Sequence, residues 1–184
     1  MMRPIITAIC IAILSPSIFS QKVEDGWKGL LPLKSTIHDV EKALGKPLKI
    51  DGNNYYHYRT DEAYINVNYS TAPCVANQYN RGEYNVPPNT ILDFRVGLHD
   101  MIPIDDVRFD RDHFYRDTYS HIANAVYYRQ YYSTQKSRTL TGGFGANISV
   151  QLMKDKEYVT GFTYRPLYDD AERLRCKNYQ QIKQ

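Results

Sequence analysis

Apolar residues recur at helical spacing in one short segment of the N-terminal half. Three of them are separated by three and four positions: Ile37, Val40 and Leu44. Residues with this spacing share one face of a helix. Thr36 followed by Asp39 has the pattern of a capping box, and Gly45 with Pro47 marks the end of the helix. The segment predicts a short amphipathic helix, against which we expect the later strands to pack.

Later segments alternate between apolar and polar residues, as half-buried strands do. The segments that alternate or are rich in β-forming residues are 55–59, 64–70, 91–98, 119–132, 148–152 and 158–164. Polar turns at 60–62 and 154–157 indicate two hairpins, and 123–125 interrupts the longest run. Residues 169–175 predict one or two helical turns.

A helix followed by many strands predicts an α+β fold, with an antiparallel sheet that carries the short N-terminal amphipathic helix on one face. The chain has 184 residues, a length that fits one domain with a substantial core. We assign this single α+β domain to 21–184. The segment 104–117 is dense in charges of both signs, so we expect an exposed loop there.

The N-terminus has the features of a secretory signal peptide at 1–20. Arg3 supplies the positive charge, and 5–14 is apolar but too short to span a bilayer. Two residue pairs fit cleavage, and the first places it before Gln21: Ile18 with Ser20, or Ser15 with Ser17. The alternative is a buried N-terminal core helix. A cleaved signal predicts a secreted or periplasmic protein that retains no membrane span.

The cysteine count changes once the signal peptide is removed. Cys10 lies in the apolar part of the signal, which leaves Cys74 and Cys176. An even pair in an exported chain is most simply a disulfide, and the alternative is two free thiols. The bridge would close a loop of about 100 residues and stabilise the fold by about 4–5 kcal/mol in the chain-entropy model.

The overall charge does not indicate a nucleic-acid or membrane-surface partner. A formal net charge of +3 implies neither a nucleic acid nor a membrane surface. Tyrosine is abundant, with 17 residues against 6 Phe and 1 Trp. Tyrosine suits strands in which one end of the side chain is dry and the other wet.

The densest tyrosine cluster is the segment YYRQYY at 127–132. In a strand, Tyr128 and Tyr132 share one face with Gln130, while Arg129 lies on the other face. Tyrosine rows with arginine suit a protein interface or a platform for sugars. The alternative is cross-strand aromatic packing. We therefore take Tyr128, Tyr132 and Arg129 as the candidate binding surface.

The histidines and acidic residues do not form a recognisable metal motif. The five histidines lack helical His-x-x-x-His spacing. Residues that might hold a hard cation cluster in one segment: Asp105, Asp106, Asp110, Asp112 and His113. Arginines interleaved with them oppose cation binding: Arg108, Arg111 and Arg116. We expect a solvated charged loop and no metal or cofactor.

No arrangement typical of catalysis stands out. The chain has no Gly-x-Ser-x-Gly elbow, and a Cys74–Cys176 bridge leaves no thiol nucleophile. The loop at 141–145 is glycine-rich but lacks the Lys-Ser/Thr of a phosphate-binding loop. The carboxylate pairs 61–62 and 169–170 are sequence neighbours in turns, a position that rarely serves a common substrate. We expect no catalytic residues.

Short motifs along the chain carry a resemblance. Their residues are Trp27, Gly29, Pro32, Leu33, Ser35, Thr36, Asp39, Val40, Leu44, Gly45, Pro47, Tyr69, Ser70, Pro73, Cys74, Val86, Pro87, Leu174, Arg175 and Cys176. With these residues the chain resembles a group of uncharacterised exported bacterial proteins, over 26–97 and again over 158–176. The resemblance implies the fold and export and no particular chemistry. Residues 104–145 depart from the shared pattern.

The layout of a capped helix that leads into strands is also distantly similar to small envelope-assembly lipoproteins and β-lactamase-inhibitor-like domains. Those proteins bind other proteins and catalyse nothing. The chain lacks their lipid-bearing cysteine. Together, these observations predict an exported, non-catalytic binding module whose partner is another protein. A carbohydrate-binding module that uses a Tyr-rich sheet face is the alternative, and a hydrolase is third.

Overall fold

The computed structural model of the protein describes residues 22–52, 54–75, 83–116, 120–122, 126–133 and 145–177, and at 113, 115–116, 120–122 and 126–133 the backbone alone. The helices are α1 (Ile37–Leu44) and α2 (Tyr168–Leu174). The strands are β1 (Lys49–Asp51), β2 (Tyr55–Arg59), β3 (Ala63–Tyr69), β4 (Ile91–Pro103), β5 (Phe114–Arg116), β6 (Ser120–Ile122), β7 (Val126–Ser133), β8 (Ala146–Met153) and β9 (Lys156–Tyr164). The predicted signal peptide at 1–20 lies outside the described residues.

The described strands form one antiparallel sheet. Its order is β1-β2-β3-β4-β9-β8-β7-β5, and β6 also pairs with β7. Every neighbouring pair is antiparallel. With two helices, this is the α+β arrangement that the sequence predicts. None of the helices in the described residues is long and apolar enough to cross a membrane.

The capped helix forms where its sequence signals place it. The Asp39 carboxylate accepts hydrogen bonds from the backbone N–H of Thr36 at 2.7 Å and from the Thr36 hydroxyl at 2.8 Å. Gly45 ends the helix at φ +84°, and its N–H donates to the Glu41 carbonyl. A side chain at this φ would be strained, which explains the glycine. Val40 is fully buried within the main core.

The two predicted hairpins are present. β2 and β3 pair across the 60–62 turn, and β8 and β9 pair across Lys154 and Asp155. Both turn residues have positive φ, 48° and 65°, as a tight hairpin requires. β4 extends beyond the predicted 91–98, because its register with β9 shifts between Gly97 and Ile102 and pairing resumes after the shift. The short strand β1 has no alternation in the sequence and was not predicted.

The main core lies on one face of the sheet. Its aromatic contacts include Trp27 against Phe162, with ring centroids 5.6 Å apart, and Phe94 stacked on Tyr164 at 4.6 Å. Buried aliphatic residues of four central strands complete this face: Ile65, Val67, Val96, Ile148, Val150 and Val159. Ile37, Ala43 and Leu44 of α1 pack against the same cluster.

The segment 104–116 is only partly the exposed loop that its charges suggest. Its apolar residues Ile104, Val107 and Phe114 are buried in the main core. Asp105 and Arg111, in contrast, are exposed and form an ion pair at 3.0 Å. Spaced apolar residues thus anchor the segment while the charges between them face water.

A disulfide joins Cys74 to Cys176, with the Cα atoms 5.7 Å apart and a sequence separation of 102 residues. The pair predicted from the cysteine count is therefore at bonding distance. Beside it, Tyr84 pairs with Arg175 as a β-bridge. A second, smaller cluster of buried residues lies in this region: Leu33, Val86 and Leu92, with Tyr84 and Leu174 packed against it. The disulfide thus ties the end of the C-terminal helix to the 71–75 segment, and the β-bridge ties it to the 83–88 segment.

Candidate binding surface

The sheet face opposite the main core carries mostly polar side chains. Residues paired directly across neighbouring strands share a face, so the register orders this surface into rows. We call the first the glycine row: Arg59, Tyr64, Gly97, Gly161 and Ser149. We call the next the arginine row: His57, Asn66, Arg95, Thr163 and Asn147. Within the described residues, this polar face is the broadest candidate surface for binding.

The centre of the glycine row is a low floor in the sheet. A Cβ atom placed on Gly97 would meet nothing closer than the Tyr64 carbonyl oxygen, 3.9 Å away, so the space above Gly97 is open. A Cβ atom on Gly161 would overlap the Val96 carbonyl oxygen. Gly161 is therefore required by the close approach of β4 to β9 at the bulge.

Tyr64 stands at one end of this floor, and its side chain is half-exposed, at 49%. The Arg59 guanidinium carbon lies 5.1 Å from the centre of the Tyr64 ring. The His99 ring packs against the same tyrosine at right angles, with centroids 4.5 Å apart. His99 is itself held by a hydrogen-bond contact of 3.0 Å between its Nε2 and the Thr60 carbonyl. Two neighbours thus fix an aromatic ring that remains accessible to solvent.

A charged network lies at the β1 edge of the polar face. The Asp51 carboxylate lies 2.7 Å from Lys49 Nζ and 2.8 Å from His57 Nε2. The other ring nitrogen of His57 is 2.7 Å from the Asn66 side-chain oxygen. Both ring nitrogens of His57 are therefore engaged, one with Asp51 and one with Asn66. Hydrogen bonds from Lys49 and then His57 lower the pKa of Asp51 below its usual value.

A second polar network lies deeper, next to the arginine row. Asn54 donates to the Asn68 side-chain oxygen at 3.1 Å and to the Tyr69 carbonyl at 3.0 Å. Asn68 in turn donates to the Asp93 carboxylate at 3.0 Å. Burial raises the pKa of Asp93, although the Asn68 hydrogen bond and the charge of Arg165 oppose that rise. Asn54 and Asn68 are buried and bonded, a role that fits support of the sheet better than binding.

The predicted surface of Tyr128, Arg129 and Tyr132 lies on β7. The backbone register pairs Tyr128 with Gln151, Arg129 with Val150 and Tyr132 with Asn147. The side chains of these β7 residues lie outside what the structure describes. The choice between binding surface and aromatic packing therefore stays a prediction.

The acidic segment does not assemble a metal site in the described part of the chain, where no group of three or more His, Cys, Asp or Glu side chains could hold a metal ion. Asp105 pairs with Arg111, and the Asp110 carboxylate accepts from the backbone N–H of Asp112. Asp106 is exposed. The side chain of His113 lies outside the described residues.

One member of each carboxylate pair forms an ion pair. Glu62 lies 3.0 Å from Lys28 Nζ. Asp170 lies 2.8 Å from Lys34 Nζ and 2.9 Å from Arg173. The hydrogen bond from Lys34, followed by that from Arg173, lowers the pKa of Asp170. A carboxylate held in its charged form by cations is poorly suited to act as a general acid at neutral pH.

A small pocket of about 20 Å³ lies between the lead-in to α1, the end of β9 and the start of α2. Charged side chains on its wall are Glu24, Lys34, Arg165 and Asp170. Since Lys34 and Asp170 form an ion pair, much of the charge in this pocket is already balanced. Its remaining wall is largely apolar, from residues such as Leu31, Pro32 and Leu167.

No known protein family, curated protein or solved structure matches this chain. The argument about function therefore depends on the described surface. Sequence reasoning overlooked Tyr64, Gly97 and Gly161 as a group. The sequence did contain one indication: in an alternating strand, Tyr64 lies on the same face as the polar residues Asn66 and Asn68.

Proposed function

We propose that this protein is an exported, non-catalytic binding module that acts in the periplasm or outside the cell, with 1–20 as its signal peptide. The Cys74–Cys176 disulfide supports export, because such bridges persist in oxidising compartments. The proposal includes membership in the group of exported bacterial proteins that the chain resembles. It also includes α1 as a cover over part of the apolar sheet face.

The observation that carries this proposal is the polar face of the sheet. Its exposed residues include an aromatic ring and two arginines: Tyr64, Arg59 and Arg95. Two acidic groups near it already have partners. Asp51 forms ion pairs, and Asp93 accepts a hydrogen bond from the side-chain amide of Asn68. Such a face suits recognition, which needs accessible polar and aromatic groups and no activated nucleophile.

The proposed partner is another protein, and its proposed contact surface is β7 with Tyr128, Arg129 and Tyr132. The backbone of β7 lies beside β8, in the same sheet as the polar face. Tyrosine and arginine are enriched among the residues that dominate protein interfaces.

The experiment is affinity capture with the oxidised mature chain, 21–184, as bait in envelope and culture-medium extracts. The variant bait carries Tyr128→Ala and Tyr132→Ala. A control bait carries Leu48→Ala and Met101→Ala, which removes two exposed apolar side chains away from β7. We expect one protein to be retained by the wild-type and control baits and lost from the tyrosine variant. Direct titration with that purified protein then measures the loss. Equal retention by all three baits would contradict this surface.

A carbohydrate ligand is the second candidate function. The observation that favours it is the half-exposed Tyr64 ring beside the open floor above Gly97. Sugars pack their apolar C–H faces against aromatic rings and hydrogen-bond to polar side chains around them. This candidate has a surface of its own and does not need β7.

A further inference from the structure

We infer that the glycine row is a binding site for a short acidic oligosaccharide, with Tyr64 as its apolar wall and Arg59 and Arg95 as the groups that recognise carboxylate. The site lies on β3, β4, β9 and β8, and its Ser149 end pairs with Gln130 of β7, between Tyr128 and Tyr132. Its other end, at Tyr64 and Gly97, lies three or more strands from β7, so variants at those two positions test the inference separately from that partner.

The floor of the site has the length that an extended ligand needs. Tyr64, Gly97, Gly161 and Ser149 lie on four consecutive strands. Since neighbouring strands are about 4.8 Å apart, the row is about 14 Å long. Gly97 in its middle is exposed and leaves the backbone uncovered, so a ligand can approach the sheet closely there, whereas Gly161 beside it is buried against β4. The open space above Gly97 is the part of the floor that a larger side chain would fill.

Tyr64 provides a rigid wall at the end of this floor. Arg59 and His99 hold its ring in place, while about half of the side chain stays exposed. Little conformational entropy is lost when a ligand packs against a ring that is already fixed. An apolar wall above a polar floor matches the alternation of C–H and hydroxyl groups on a sugar.

The polar groups around the floor favour a saccharide over a protein. Ser149 continues the glycine row, and the amide and hydroxyl of Asn66 and Thr163 flank Arg95 in the next row. Other large apolar side chains that are exposed in the described residues belong to other parts of the surface: Leu48, Ile50, Val75, Met101 and Met153. A protein interface usually has an apolar centre, and this face offers hydrogen-bonding groups instead.

The charges of the same face favour an acidic sugar. Arg59 and Arg95 are both exposed. Of the carboxylates nearby, Asp51 is paired with Lys49 and His57, and Asp93 is bonded to Asn68. The two guanidinium groups lie on the same sheet face as the Tyr64 ring. Arginine binds carboxylate with two parallel hydrogen bonds, so uronic acid units suit this pair of side chains.

Calorimetric titration of the oxidised mature chain tests the site, with tetragalacturonate as the acidic probe and maltotetraose as the neutral one. We expect binding of tetragalacturonate that weakens as salt rises, and maltotetraose affinity at least about tenfold lower. Gly97→Val fills the floor, Tyr64→Ala removes the wall and Arg95→Gln removes one cation. The first two should each weaken binding at least about tenfold, and Arg95→Gln should also reduce the salt dependence.

Two control variants match these changes. Arg173→Gln removes an exposed arginine from α2, and Met153→Ala removes an exposed side chain from the β8–β9 hairpin. Both should bind tetragalacturonate as the wild type does. Urea denaturation of each variant reports whether the fold is intact. If Gly97→Val fails to fold, the affinity of Tyr64→Ala tests the site instead. Tyr64 is half-exposed, so its replacement should leave the fold intact.

Several outcomes would overturn the inference. One is the absence of binding to either probe, and another is unchanged affinity in folded Gly97→Val and Tyr64→Ala. Equal affinity for the two probes would overturn the recognition of carboxylate by Arg59 and Arg95. A protein partner whose capture is lost in Gly97→Val would show that a protein occupies the floor instead.

Discussion

The hydroxyl oxygen of Tyr58 lies 3.0 Å from the hydroxyl oxygen of Tyr69, and each side chain is only 1% exposed. Burial raises the pKa of both groups, so each hydroxyl keeps its proton and one donates to the other. The pair lies on the apolar face of β2 and β3, where an unbonded hydroxyl is costly.

Replacing one member of this pair should destabilise the fold more than replacing both. Tyr69→Phe leaves the Tyr58 hydroxyl buried without its partner, and we expect a loss of about 1–3 kcal/mol in the free energy of unfolding. Tyr58→Phe should act in the same way. The double variant should lose less than the sum of the two, since both polar groups are gone. Urea denaturation of the four proteins completes the cycle, and simple additivity would argue against the hydroxyl pair.

The two glycines of the glycine row should respond differently to alanine. Gly161→Ala places a Cβ atom into the Val96 carbonyl oxygen, and we expect a loss of about 1–3 kcal/mol in the free energy of unfolding. Gly97→Ala meets open space and should change stability little or raise it by about 0.5 kcal/mol. Denaturant unfolding measures both. Equal effects of the two changes would mean that β4 and β9 do not approach as closely as described.

The Asp51 ion pairs should make stability depend on acidic pH. Hydrogen bonds from Lys49 and His57 lower the pKa of Asp51 in the fold, so the unfolded chain takes up the proton first as pH falls. The contribution of Asp51 is therefore complete above its ordinary unfolded pKa of about 4, and it is lost as pH falls through the lower folded pKa.

The measurement is the unfolding free energy of wild type and Asp51→Asn between about pH 2 and pH 6, a range that spans the ordinary carboxyl pKa. The difference between them should be largest at the upper end and shrink at the lower end. Asp61→Asn, in the β2–β3 turn, corrects for the loss of one negative charge. A difference that stays constant with pH would rule out this role for Asp51.

Loss of the Cys74–Cys176 bridge should lower the free energy of unfolding by about 4–5 kcal/mol, because the unfolded chain regains the entropy of a loop of about 100 residues. Cys74→Ser with Cys176→Ser removes the bridge, and urea denaturation measures the change. A reductant should destabilise the wild type and leave the double variant unaffected. The intact mass of the wild type gives an independent check, since reduction of the bridge should raise it by the mass of two hydrogen atoms.

Local sequence signals were sufficient to predict those elements whose ends are determined by residues close in sequence. The α1 cap is determined by Thr36 and Asp39, which are close in sequence, and Gly45 ends the helix through its own φ. β1 escaped prediction because its three residues gain a strand conformation only by pairing with β2. The extension of β4 past Gly97 depends likewise on a bulge against β9, a distant segment.

The candidate site was harder to predict for a similar reason. Tyr64, Gly97 and Gly161 belong to three strands and become neighbours only through the register of the sheet. Alternation identifies the face on which each residue lies, but not its cross-strand neighbour. The disulfide was simpler, because only two cysteines follow the predicted signal peptide, and they allow a single pairing.

The pairing of β4 with β9 also has a consequence for how the chain is made and moved. β4 lies near the middle of the chain and β9 nearer its C-terminus, with β5 to β8 between them in sequence. A chain that emerges N-terminus first therefore holds β4, with its apolar Phe94 and Val96, unpaired along one edge until β9 follows. Exposed strand edges of this kind invite association with other chains. Truncated chains that end before β9 should therefore aggregate. The yield of folded protein should depend on how well the β4 edge is protected until β9 is made.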